Sequence, residues 1–376
     1  MFSFFKKKIT IKKLSKVDLL VFKDRFKKLN FSGIKSAVYP ENEINLWYLL
    51  KSLFFGIRKN KNIRSLYFFY IIKDFSPKLV IGSDMDLKIF KLIKIFPNIK
   101  SICYEGSYTF DRDKLLKQTI TTGNSYNDSL EYIQNKKKII NKYSPNYYFV
   151  YDQRSKKILK EVHNSNFFVH GSVRNNEIKQ QKKNIKFDIM LISNYRPLST
   201  RTNALNYKIK KFNSSFLKIA KIINSYCLLE NKKLAIALTS TRKDKGVRRS
   251  FLGQELNFFK DIKFSHFPTM SSYNLSDICD MSICTYSELG YHLLAKKQKV
   301  LFISNDKKFT WHFFKKNEDV FFYQGEEKKL IKKKIDKMLA IDERNYCKML
   351  RAHDILEFDS NNAELKKFIK KTILNF

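Results

Sequence analysis

Short apolar runs alternate along most of the chain with longer stretches whose apolar residues recur three and four positions apart. KLVIGS (Lys78–Ser83) has the length of a buried strand, DLKIFKLIKIF after it has helical spacing, and IKSICYEG (Ile99–Gly106) is strand-like again. NYYFVYD, QRSKKILKEV and NSNFFVHGS continue as strand, helix and strand up to Ser172. Such connections require parallel pairing with right-handed crossovers.

The second half repeats this grammar. FDIMLISN (Phe187–Asn194) predicts a strand, SSFLKIAKIINSYCLLEN a helix and KLAIALTS (Lys233–Ser240) a strand, with DIKFSHF, MSICT and KVLFIS as further short strands. The polar stretch RNNEIKQQKKNIK, Arg174–Lys186, separates the halves as a linker. The expected fold is therefore α/β, with two tandem Rossmann-like domains at 1–178 and 179–353. Residues 354–376 form an amphipathic helix that packs back on the body. A length of 376 residues fits two cores better than one.

Composition changes the picture in one respect. The net charge is +39, from 35 basic and 15 acidic residues up to Gln180 and 39 and 20 beyond it, so no tail carries it. A Lys-rich surface of this kind is drawn to anions, among them an anionic membrane face; drift toward Lys, Asn, Ile, Phe and Tyr in composition would produce it too. No RRM, KH or helix-turn-helix signature accompanies the charge, and nucleic acid is not an expected partner. Five cysteines without a CxxC pair and six scattered histidines predict reduced thiols and no metal site. The longest apolar stretch, INLWYLLKSLFFGI (Ile44–Ile57), contains Lys51 and is too short to cross a bilayer. It is either a core helix of the first domain or an amphipathic helix lying on a membrane.

In open parallel sheets ligands bind beyond the carboxyl ends of strands, and four clusters follow strand-like runs. GSDMD places Asp84 and Asp86 after the first; Asp84 is suited to capping a helix, and Asp86 to an acceptor hydroxyl. CYEG places Glu105 before Gly106, as a general base or a solvated loop carboxylate. TSTRKDKGVRRS brings Thr241, Arg242 and further cations to a strand end, as a diphosphate cradle or a solvated charge run. In CTYSELGYHLL, Thr285 and Ser287 can bond a phosphate or cap a helix, and Gly290 allows close backbone approach.

With VHGSVRNN closing the first half and SSYNLSDICDMSICTYSELGYHLLAKKQKVLFIS late in the second, the chain resembles nucleotide-sugar transferases of the GT-B type. It most resembles bacterial surface carbohydrate biosynthesis proteins, loosely from Leu79 to Asn305 and specifically over Ser287–Ser304. The resemblance implies parallel sheets facing a central cleft, Ser193, Tyr195 and Arg196 at that cleft, and Ser271, Ser272 and Tyr273 on the nucleotide side. It also places His292 where the family has a ribose-binding Glu, and Tyr104-Glu105-Gly106 where relatives have Gln-His-Gly or Gln-Asn-Gly. The implied activity is metal-independent sugar transfer from a nucleotide-sugar donor to a glycan or lipid-linked acceptor, in the cytoplasm or peripherally on the inner membrane face. No cofactor beyond the donor is implied. Transfer of a polyol phosphate from a CDP-linked donor, and a non-catalytic basic protein that binds membrane or glycan, are the alternatives.

Overall fold

Alternate residues of each strand in the first half point to opposite faces, and both faces are covered. The structure, a computed structural model, describes residues 8–10, 15–22, 33–39, 43–59, 63–83, 87–105, 144–161, 163–178, 184–198, 203–239, 247–265, 270–285, 287–305, 320–353 and 357–376. Two compact units result, one of 1–177 with 359–376 and one of 178–358.

In the first unit, β1 (Lys8–Thr10) pairs in parallel with β4 (Glu43–Asn45). The main sheet contains β2 (Leu19–Phe22), β3 (Ser36–Tyr39), β5 (Leu79–Ser83), β6 (Lys100–Tyr104), β7 (Tyr147–Val150) and β8 (Asn166–Val169). It is parallel throughout, in the order β3-β2-β5-β6-β7-β8. Leu20, Phe22, Val80, Cys103, Tyr148 and Val150 face the helices Leu46–Lys59, Ile63–Phe75, Leu87–Ile93 and Gln153–Leu159 through Tyr48, Ile71, Phe90 and Leu159. Their strand neighbours Leu19, Val21, Leu79, Ile81, Ile102 and Phe149 face the other way, onto Leu365, Ile369 and Ile373 of the last helix, Ala363–Leu374. The period of two in the strands thus recruits the end of the chain as the sheet's second cover.

A polar lock holds that helix. Buried His170 sits 2.9 Å by Nε2 from Asn362 Oδ1 and 3.4 Å by Nδ1 from Asp359 Oδ2, while Asp359 also accepts from the backbone amides of Ala363 and Glu364. Asn362 donates to the Val173 carbonyl, and Asn176 donates to that of His170. Part of the expected linker is therefore folded structure: Val173–Asn176 is a helical turn capped by Ser172.

His163 gives this unit a pH dependence. It is 4% exposed, its ring tilted against that of Tyr148, and held down at about 4 from the usual 6.5, by burial first and then by the Lys94 charge. Between these values the unfolded chain binds a proton that the folded protein refuses, so stability is full above 6.5 and falls as pH drops toward 4. The loss should reach roughly 3 kcal/mol at 1.36 kcal/mol per unit. Urea denaturation across this range measures it, and His163→Gln should remove that part of the slope. Burial also lowers His170, against the raising influence of Asn362 and Asp359, so a residual slope of the same sign remains.

The second unit is one parallel sheet of β9 (Phe187–Ile192), β10 (Leu234–Ala237), β11 (Cys279–Cys284), β12 (Lys299–Ser304) and β13 (Phe322–Gln324), in the order β10-β9-β11-β12-β13. DIKFSHF, expected as a strand, makes one isolated parallel bridge among its described residues, Ala235 to Ser265. Among the described residues, no helix is long and apolar enough to cross a membrane and no three His, Cys, Asp or Glu side chains gather as a metal set.

Candidate functional site

The sheet order of the second unit locates a crevice. From β9 the chain crosses to β10 on one side, and then returns to place β11 on the other side of β9. The connections diverge beyond the carboxyl ends of β9 and β11, the position at which open parallel sheets bind ligands. Ser193 and Asn194 leave β9 there and Thr285 leaves β11, and Asn194 Nδ2 donates to Thr285 Oγ1 across the gap. Ser287 caps the helix Glu288–Ala295, its hydroxyl accepting from the Leu289 amide at 3.2 Å. A first helical turn therefore begins beside the crevice, where its amide dipoles favour an anion.

A carboxylate the sequence reading passed over organises the floor. Glu255, on the helix Val247–Phe258, is fully buried and accepts from the Ser193 hydroxyl at 2.5 Å and from the Thr239 amide and hydroxyl at 3.0 and 2.8 Å. It ties the segment after β9 to the segment after β10. Ser193 Oγ in turn accepts from the Tyr195 amide at 3.2 Å. The Tyr195 phenol is pushed up by burial and by the Glu255 charge. Glu255 was discernible as a charge three residues from Leu252 and four from Phe259, both buried, on one helical face.

The other predicted residues are placed as follows. Arg196 lies on the same segment, with its guanidinium 4.1 Å above the Phe212 ring and its backbone clasped by Asn213 through both amide and carbonyl. Gly290 packs the helix onto β11: an added Cβ would lie 2.7 Å from Cys284 Sγ and 2.8 Å from its Cβ. The Cys284 thiol beneath it is pushed up to about 12 by burial and stays protonated. Gly290→Ala should therefore cost about 1–3 kcal/mol of unfolding free energy, as overpacking does, measured by denaturant titration. Cys284→Gly in the same chain should recover part of that loss.

Ser272 and Tyr273 belong to the short helix Ser272–Ser276, capped by Ser271, which leads into β11. The Tyr273 hydroxyl meets His292 Nδ1 at 2.7 Å, and His292 Nε2 lies 3.4 Å from Glu288 Oε1, one turn back on its own helix. His292 is 4% exposed, so its ring is packed between these two groups rather than displayed. Lys296, also buried, donates to the Ile178 carbonyl at 2.9 Å and stands over the Tyr273 ring. This second cluster is assembled around Tyr273, not around Asn194 and Thr285.

In the first unit Glu105 is 4% exposed, and both its oxygens accept within the fold: Oε2 from the Tyr151 amide at 2.8 Å and Oε1 from the Ser155 hydroxyl at 3.1 Å. It latches β6 to the turn that starts the helix Gln153–Leu159, where Asp152 caps by accepting from the Ser155 amide. The solvated-loop reading of Glu105 does not hold, since the fold encloses it. Asp84, Asp86, Thr241 and Arg242 lie outside the described residues.

A family model described as "putative O-antigen biosynthesis protein" matches residues 122–373. No curated protein sequence matches. Solved structures with this fold include a "putative UDP-N-acetylglucosamine 2-epimerase" from Listeria monocytogenes, with TM-score 0.55, 10% identity and coverage of 96% of this chain and 98% of that one. The UDP-GlcNAc 2-epimerase of Methanocaldococcus jannaschii aligns with TM-score 0.52, 10% identity, and coverage of 94% and 99%. The glycotransferase of kitacinnamycin aligns with TM-score 0.51, 7% identity, and coverage of 94% and 98%. The architecture of this chain is that of GT-B proteins.

Proposed function

Given that the chain belongs to the family of O-antigen biosynthesis proteins, we propose that it transfers a sugar from a nucleotide-sugar donor to a glycan or lipid-linked acceptor during assembly of a bacterial surface polysaccharide. The observation that carries the reading is the strand order of the second unit, which brings Asn194 and the buried Thr285 together beside the capped helix at Ser287. Polar groups of this kind suit ribose hydroxyls and a diphosphate, and the amides of the first turn offset the charge released as the donor bond breaks. Arg196, Thr241 and Arg242 supply further donors on the segments after β9 and β10. The relatives named for UDP-GlcNAc and for glycosyl transfer are consistent with such a donor.

The acceptor belongs to the first unit in this reading. Its sheet order, β3-β2-β5-β6-β7-β8, puts the corresponding switch between β2 and β5, and Asp86 follows β5. Asp86 is the base we assign for deprotonating the acceptor hydroxyl. Glu105 serves instead to hold the β6 end in place, because its oxygens already accept two hydrogen bonds. The donor is the only small molecule the reaction needs in this account, and turnover should survive a chelator.

A thermal-shift screen against UDP-, GDP-, CMP- and CDP-linked donors tests the reading. One sugar donor at a hundred times its dissociation constant should add about 2.7 kcal/mol to stability. A response to CDP-linked polyols alone would mark the protein as a phosphotransferase, and no response to any donor would mark it as a binding protein.

A further inference from the structure

The helix Leu46–Lys59 has one exposed face, and the large side chains on it are apolar. Tyr48 and Ser52 are buried against the core, the Tyr48 hydroxyl donating to Asp74 and Ser52 to the Tyr48 carbonyl. Trp47, Leu50 and Phe54, at i, i+3 and i+7, are exposed by 53, 55 and 62%. Three large side chains on a single stripe differ from the scattered exposed apolar residues of an ordinary surface, and a Trp among them suits a water–lipid boundary. The surrounding sequence is mostly basic: from Ile44 to Lys73 there are Lys51, Arg58, Lys59, Lys61, Arg64 and Lys73 and no Asp or Glu, with Glu43 and Asp74 just outside that span and Asp74 accepting from the Tyr48 hydroxyl.

We propose that this stripe docks the protein on an anionic phospholipid surface, with the helix lying in the plane of the membrane. At 14 residues the helix is about 21 Å long, short of a bilayer's apolar thickness, so it lies on the surface and does not span. Its apolar side enters the boundary between headgroups and acyl chains while the cations meet lipid phosphates, two contributions that reinforce each other. The same cations argue against a second copy of the chain as the occupant, since two such segments brought face to face repel. Docking depends only on the first unit and stands whether or not the second binds a nucleotide sugar.

The test uses the full chain with vesicles of phosphatidylglycerol and phosphatidylethanolamine, and with phosphatidylcholine vesicles for comparison. The wild type should sediment with the anionic vesicles, and the double substitution Leu50→Ser, Phe54→Ser should weaken partitioning by roughly tenfold or more, because it removes the buried apolar area while keeping every charge. Both positions are exposed, so the variant should keep the wild-type circular dichroism. Of the two tryptophans, Trp47 and Trp311, only the first is on the stripe; in Trp311→Phe the remaining emission should shift to the blue on anionic vesicles. Partitioning unchanged by the double substitution would overturn the proposal and leave diffuse charge as the cause. So would a wild type that self-associates through this stripe in the absence of lipid.

Discussion

A protein truncated before Asp359 should lose the cooperative unfolding of its first unit. The last helix places Leu365, Ile369 and Ile373 on a face of the sheet formed by Leu19, Val21, Leu79, Ile81 and Ile102, all buried. Three such side chains contribute about 5–9 kcal/mol at 1.5–3 kcal/mol each, and a domain's whole stability is about 5–15 kcal/mol. Truncation also removes Asp359 and Asn362 from around buried His170. Calorimetry of 1–358 should show the transition of the first unit abolished, with dye binding to the uncovered sheet. Ile369→Ala, which leaves the chain full length, should cost about 2–5 kcal/mol through cavity formation. An unchanged transition in the truncated protein would mean that the helix is not the cover of this sheet.

Glu255→Ala should have the next largest effect. The substitution removes the acceptor of the buried Ser193 hydroxyl, and that of the amide and hydroxyl of Thr239, an exposed residue that can turn to water. An orphaned buried hydroxyl at Ser193 costs about 1–3 kcal/mol, and the cavity left by the removed side chain adds to that loss. Glu255→Gln keeps one acceptor oxygen and should lose less. Donor affinity should fall in both variants, because Ser193 fixes the chain entering the crevice. Urea denaturation alongside donor titration separates the two consequences: wild-type affinity in a destabilised Glu255→Ala would show that the crevice does not depend on this anchor.

The strands that could be read from sequence were those with uninterrupted apolar runs. FDIMLISN, KLVIGS and KVLFIS became β9, β5 and β12 because buried parallel strands must be apolar on both faces. LLVF and SAVY, four residues each amid charges and turns, are too short for a period to distinguish strand from helix, and β2 and β3 were not visible. The stretch Ile44–Ile57 looked ambiguous because one face of the helix enters the core and the other stays exposed. At the site, Thr285 could be found from the rule for parallel sheets, whereas Ser193 came only from the family resemblance. What brings Asn194 to Thr285 is the order of the strands, which sequence does not display, and Glu255 acts from a helix remote in the chain. His292 and Glu288, four apart in the sequence, lie on one face of their helix as that spacing dictates; Tyr273 as the partner that takes the imidazole could not be read from spacing.

The central claim, a nucleotide-sugar site at the switch point of the second unit, is tested most directly by calorimetric titration of the donors into the wild type and Thr285→Val. Valine keeps the shape of threonine but leaves the Asn194 amide without its acceptor across the crevice. The account predicts saturable binding of one donor to the wild type and affinity weaker by about tenfold in Thr285→Val, the size of one lost hydrogen bond. Equal affinity in the two proteins, or no binding of any nucleotide sugar to the wild type, would contradict it.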